Sequence, residues 1–169
     1  MRLLIVALGL SLFVASCAKT EREYYESGKI KKAYIIKDGK KNGLMREYFE
    51  NGNIQAETMY KNDLKNGYQK FYYIDGKTKK DSNYIKGKEE GVFTDYYESG
   101  TLKSSITFKS GLKDGKAVFY NEAGNTVISA NFIPNGDNKD IIGNCGNVEL
   151  TTMEIENFIE SNQLPEKCL

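Results

Sequence analysis

Twelve tyrosines and 24 lysines and arginines, set among 23 aspartates and glutamates, are the side chains with which this chain could do chemistry, and it has no histidine. General acid–base work near neutral pH would therefore fall to some other tuned group. The usual metal-ligand clusters are missing as well. Neither Cys145 nor Cys168 sits in a CxxC motif, and Ser104-Ser105 has no base at a nucleophile's spacing. No glycine-rich loop leads a strand into a helix, so a phosphate cradle is not expected. Asp38-Gly39 suggests a calcium turn, but Lys37 and Lys40 flank it and argue against the cation. No catalytic residue, metal ligand or cofactor is assigned, and an enzyme is not expected. What remains is non-covalent binding. Tyr48, Tyr72 and Tyr96 are evenly spaced candidates for a binding surface, because tyrosine offers large contact area at low entropic cost. Neighbouring lysines would steer a partner toward them. The alternative is that the tyrosines pack a sheet and the lysines keep it soluble.

These three residues belong to a column with a step of 24: Tyr24, Tyr48, Tyr72, Tyr96 and Tyr120. Gly28, Gly52, Gly76, Gly100 and Gly124 keep the same step, and so do Gly43, Gly67, Gly91 and Gly115. Three columns in register define one small unit used five times. A short fixed period predicts a quasi-linear stack with a long surface rather than a globular pocket.

Within the unit, Ile54, Ala56, Thr58 and Tyr60 alternate with Asn53, Gln55 and Glu57. Period two marks a strand with one buried and one wet face. Asn51-Gly52, Asp75-Gly76 and Ser99-Gly100 stand at the tips, where the chain must visit positive φ. The expected fold is all-β: a single elongated, meandering antiparallel sheet of stacked β-hairpins, followed by a short C-terminal helix. A lone hairpin is marginal in water, so the repeats must stabilise one another. Ile36, Tyr60, Tyr84, Phe108 and Phe132 are expected to form a continuous apolar stripe, with the Tyr24–Tyr120 ladder beside it.

The segment Tyr60 to Gly76 resembles the MORN repeat: an aromatic, an Asn-and-Lys turn before glycine, an aromatic strand and a closing Asp-Gly. The nearer resemblance is to the MORN variant of bacterial YwqK-type antitoxins. Related copies, such as Lys86 to Gly91 and Lys109 to Gly115, extend it over residues 24–132. The chain departs from the usual pattern in having no tryptophan, and its fifth copy degenerates after Phe132. The resemblance implies either an interaction surface for a protein or envelope polymer, or an antitoxin that neutralises a toxin by binding it. A structural role is a third, weaker implication.

At the N-terminus, Arg2, an apolar run from Leu3 to Val14, and Val14-Ala15-Ser16-Cys17 resemble a lipoprotein signal with its lipobox. That resemblance implies lipidation of Cys17, a membrane anchor and a place in the cell envelope. Ala18 after the cysteine implies the outer membrane if the cell has one. The run is too short to span a bilayer comfortably. With Cys17 acylated, Cys145 and Cys168 remain as an even pair. They are a candidate disulfide in an exported compartment and free thiols in a reducing one. The bridge would contribute about 3 kcal/mol in the chain-entropy model.

The expected organisation is a signal segment at 1–17, five repeats at 18–136 and an acidic cap at 137–169. From Ala18 to Gly136, 21 basic residues face 16 acidic ones, a net of +5; from Asp137 to Leu169, 2 face 7, a net of −5. Basic and acidic residues are interleaved in the repeats, so nucleic acid is not an expected partner. Asp137 to Val148, rich in Gly and Asn, reads as a loop. A helix capped by Thr151 or Thr152 should follow, with Met153, Phe158 and Ile159 on its apolar side and Pro165 ending it. Its expected place is over the open end of the sheet, hiding a strand edge.

Overall fold

The computed structural model describes residues 17–133, 142–161 and 163–166. The chain opens with β1 (Lys19–Tyr24) and β2 (Ile30–Lys37). Asn42 then splits the next strand into β3 (Lys40–Lys41) and β4 (Gly43–Tyr48). Next come β5 (Ile54–Lys61), β6 (Leu64–Tyr72) and β7 (Thr78–Ile85). Glu90 splits the following strand in the same way, into β8 (Lys88–Glu89) and β9 (Gly91–Tyr96). The array continues through β10 (Leu102–Lys109), β11 (Leu112–Tyr120) and β12 (Thr126–Phe132). Two shorter strands, β13 (Ile142–Cys145) and β14 (Val148–Leu150), precede α1 (Thr152–Ser161).

All 14 strands belong to one open antiparallel sheet in which neighbours in sequence are neighbours in space. The expected fold class is therefore the observed one. Two turn types make the meander. Asp38 and Gly39 both hold positive φ (53° and 74°), as a two-residue hairpin loop of the primed kind requires. At the other tip Gly52 holds φ at 93°, and its N–H donates to the Phe49 carbonyl at 2.9 Å. Each closing tyrosine follows a one-residue shift in register, as between Glu47 and Tyr48 or Phe71 and Tyr72.

Neighbouring repeats are also tied at their tips. The backbone N–H of Asp63, Gly87 and Gly111 donates to the carbonyls of Lys41, Lys65 and Glu89. At the opposite tip, Lys29, Asn53 and Lys77 reach the carbonyls of Glu50, Ile74 and Glu98 at 2.8–2.9 Å. Backbone groups left over at each turn thus find partners one repeat away.

The core changes character along the array. Through the first repeats no described residue outside the sheet covers it, and the buried centre of one face mixes Thr58, Gln69 and Ser82 with Met45 and Ala56. Gln69 donates to Thr58 at 3.0 Å and accepts from Lys65 at 2.8 Å, and Ser82 donates to the Gln69 carbonyl at 2.9 Å. A single layer offers little apolar depth, and these polar groups are buried at little cost because each is hydrogen-bonded. Further on the core is apolar: Ala117, Phe119, Ile128, Ala130 and Phe132, packed under Leu150, Ile155 and Phe158.

Four expectations need correction. The segment 142–148 is not loop: it forms β13 and starts β14, and these strands extend the sheet beyond β12. Residues 134–141 lie outside the described residues. The helix covers a face of the sheet rather than its edge, with Phe158 edge-on to Phe119 at 5.0 Å. Its buried residues are Ile155 and Phe158, with Ile159 partly buried, whereas Met153 is 71% exposed. Positions i, i+3 and i+4 share a helix face, and Met153 lies about 200° from Ile155, on the far side. The apolar stripe, finally, is continuous only in part: Phe93 links Tyr84 to Phe108 at ring distances of 5.5 and 4.6 Å, and lysines are interleaved elsewhere. The ammoniums of Lys41, Lys65 and Lys113 lie over the rings of Tyr60, Tyr84 and Phe132 at 5.4, 4.5 and 5.3 Å.

Candidate interaction groove

The tyrosine column and the stripe take opposite faces of the sheet. Successive residues of a strand alternate sides, so Phe71 and Tyr72 point away from each other. On the column's face lie two exposed ion pairs, Arg46–Glu57 at 2.8 Å and Lys70–Asp81 at 2.9 Å. Tyr72 joins the first, donating from its hydroxyl to Glu57 at 3.1 Å. Burial, then that hydrogen bond and the Glu57 charge, push its phenol up to about 12. Tyr48, Tyr72 and Tyr96 are half-buried. They are brought into one column, but two strand spacings, about 10 Å, separate each from the next. Among the described residues they line no common cavity, and Tyr72 alone of the three borders the groove described next.

The other face carries the concavity. A groove of about 680 Å³ opens over β6, β7 and β9, lined among others by Phe49, Gln55, Phe71, Tyr73, Lys79, Lys80, Tyr84, Asp95 and Glu98. Phe71 is its aromatic floor. Lys80 and Asp95 approach to 3.6 Å across it. Lys79 lies over the Tyr73 ring at 5.5 Å. Burial raises the phenol pKa of Tyr73 and of Tyr84, so both present neutral hydroxyls at physiological pH.

The rim residues come from a second, unforeseen ladder. Tyr25, Tyr73 and Tyr97 donate from their hydroxyls to the carbonyls of Tyr48, Tyr96 and Tyr120 at 2.5, 2.6 and 2.8 Å. Each ring has a lysine six residues on above it: Lys31, Lys79 and Lys103. In the second repeat both members differ, and Phe49 and Gln55 stand in their place. The groove lies there. The signal was present in the sequence as a departure from the 24-residue columns.

Cys17 is exposed and free, two residues before β1. The rest of the lipobox and the run before it lie outside the described residues. Cys145 is disulfide-bonded and buried, while Cys168 lies outside the described residues. Among the described residues no helix is long and apolar enough to cross a membrane.

No curated protein matches the chain. A solved structure described as "Crystal structure of GtfA/B complex bound to UDP and GlcNAc" is similar over 73% of this chain at 17% identity, with a TM-score of 0.25. This chain spans 26% of that one, and a likeness so weak carries no argument. The family model that matches is the MORN repeat variant, over residues 19–38, 41–62 and 89–110. Each matched segment contains the glycine turns and strand pairs described above, and these three segments are accordingly MORN-variant repeats.

Proposed function

We propose that this chain is a lipid-anchored, non-enzymatic recognition module of the cell envelope that binds a protein partner through its repeat sheet. The groove over Phe71 is the observation that carries the reading. It joins an aromatic floor to a few convergent polar groups of both signs, the composition that binding sites favour. MORN repeats commonly serve as protein-interaction units, and the matched family is not a catalytic one. The anchor rests on the resemblance at Val14 to Cys17 and on the exposed thiol beside β1. A two- or three-chain lipid anchor would hold the N-terminal edge of the sheet stably at the membrane.

The test is photo-crosslinking of the full chain in its native envelope, with a crosslinker beside Phe71 and, separately, beside Tyr48. A single protein captured beside Phe71 supports recognition through the groove. Capture beside Tyr48 alone would transfer the site to the tyrosine column. The captured protein, a toxin or an envelope component, separates an antitoxin from an envelope adaptor. Fatty-acid labelling that survives Cys17→Ser would sink the anchor.

A further inference from the structure

The site where α1 docks and the open groove are the same site at two positions of the array. Phe158 and Leu164 sit in a pocket formed by Tyr97, Lys103, Phe119, Tyr120, Asn121 and Val127. Two 24-residue steps earlier stand Phe49, Gln55, Phe71, Tyr72, Tyr73 and Lys79, and all six line the groove. Phe71 occupies the register position of Phe119, against which Phe158 packs edge-on at 5.0 Å. In the repeats between and before them this position holds Asp95 and Glu47. The aromatic thus stands at the third and fifth repeats, with Glu23 at the first. With α1 seated, about 170 Å³ remains at the downstream pocket, against about 680 Å³ at the upstream groove.

Resting on the recognition reading above, we infer that the upstream groove is a second helix-docking site. Its occupant is a short amphipathic helix of a partner protein, which lays an aromatic side chain on Phe71 as Phe158 lies on Phe119. The rim defines the rest of the partner's chemistry. Val127 and Ile128 beside α1 become Lys79 and Lys80 upstream, so one flank of the groove is basic. Asp95 and Glu98 make the flank on β9 and its following turn acidic. A helix with carboxylates along one side of its apolar stripe and a lysine or arginine along the other matches both flanks. A second copy's α1 is the poorer fit, because Thr152–Ser161 contains no basic residue.

The closing experiment uses a synthetic peptide of residues 150–166, with a benzophenone group at the position of Phe158, added to the full chain in detergent micelles. This acidic peptide meets the aromatic floor and the basic flank. The expected result is saturable binding with crosslinks in the segment 49–84. Phe71→Ala should weaken binding about tenfold, the loss typical of one anchor residue. A charge reversal at the rim, Lys80→Glu, should weaken it severalfold, and Tyr48→Ser on the other face should leave it unchanged. Circular dichroism shows which variants are folded. Crosslinks confined to the surroundings of Phe119, or no saturable binding, would overturn the inference. The recognition reading has its own readout. A partner captured from the envelope with equal yield by the native chain and by Phe71→Ala would sink the helix site and leave that reading standing.

Discussion

The Tyr73 hydroxyl donates to the Tyr96 carbonyl at 2.6 Å, so a side chain at the tip of one hairpin closes a backbone group of the next. Tyr25 and Tyr97 do the same at their own repeats. The bond is part-buried, and its strength goes into coupling between repeats rather than into either hairpin. Stability in a repeat array is the sum of such neighbour terms.

Tyr73→Phe removes this bond while keeping the ring, and should cost about 1 kcal/mol. Phe49→Tyr is the converse change, because it offers the Tyr72 carbonyl the hydroxyl that Tyr25, Tyr73 and Tyr97 supply in their repeats. It should stabilise by up to about 1 kcal/mol. Urea midpoints of the two variants and the native chain decide, and movement of both in one direction would contradict the ladder.

Gly67 and Gly76 both hold positive φ, at 112° and 88°, but their surroundings differ. A Cβ on Gly76 would meet open space, whereas one on Gly67 would come within 3.0 Å of the Met59 Cβ. Gly76→Ala should therefore cost about 1 kcal/mol of backbone strain, and Gly67→Ala about 2–3 kcal/mol because Met59 and its strand must move. Thermal melts of the two variants side by side test the difference.

Alkaline pH should loosen the fold. Burial and Glu57 push the Tyr72 phenol up from 10.0 to about 12, and burial raises Tyr60, Tyr73, Tyr84 and Tyr97 in the same direction. A raised folded pKa means that the folded chain keeps a proton that the unfolded chain releases. The contribution of Tyr72 is complete below pH 10 and is lost as pH rises toward 12. The melting temperature should fall steeply across that window. Tyr72→Phe should flatten the fall, and an unchanged slope would show that Glu57 and Tyr72 are not coupled.

The two apolar residues at the start of α1 should respond very differently to truncation. Ile155 is fully buried, and Ile155→Ala should cost about 3 kcal/mol through lost burial and the cavity left behind. Met153→Ala should change stability by less than about 0.5 kcal/mol, as surface substitutions do. Denaturation midpoints measure both, and comparable losses would mean that the helix is rotated from the orientation described.

The start of α1 was legible because capping is local, whereas its end was not: the helix spans Thr152–Ser161 and does not run on to Pro165. Thr151 accepts from the Glu154 N–H at 3.3 Å, and Glu154 reaches back to the Thr151 N–H at 2.8 Å. The polar centre at Thr58, Gln69 and Ser82 was only half legible. Alternation placed Thr58 on the buried side, but its partner on the next strand, Gln69, depends on a register that shifts between Thr58 and Tyr60.

By itself, then, the sequence determined the 24-residue period, the all-β class, the turns and the face each strand residue takes. All of these follow from neighbouring residues and from backbone limits on φ that only a few side chains escape. The tertiary structure decided which face would carry the groove. Tyr72 looked like a binding residue; its hydroxyl is held by Glu57 among the charged residues of one face, and it reaches the groove only at the groove's border. Phe71, next to it, lies at the bottom of a groove. Strand alternation says that the two differ in side, but not which side the meander leaves concave. It also does not say where α1 will settle, since that depends on contacts between residues as distant as Phe119 and Phe158.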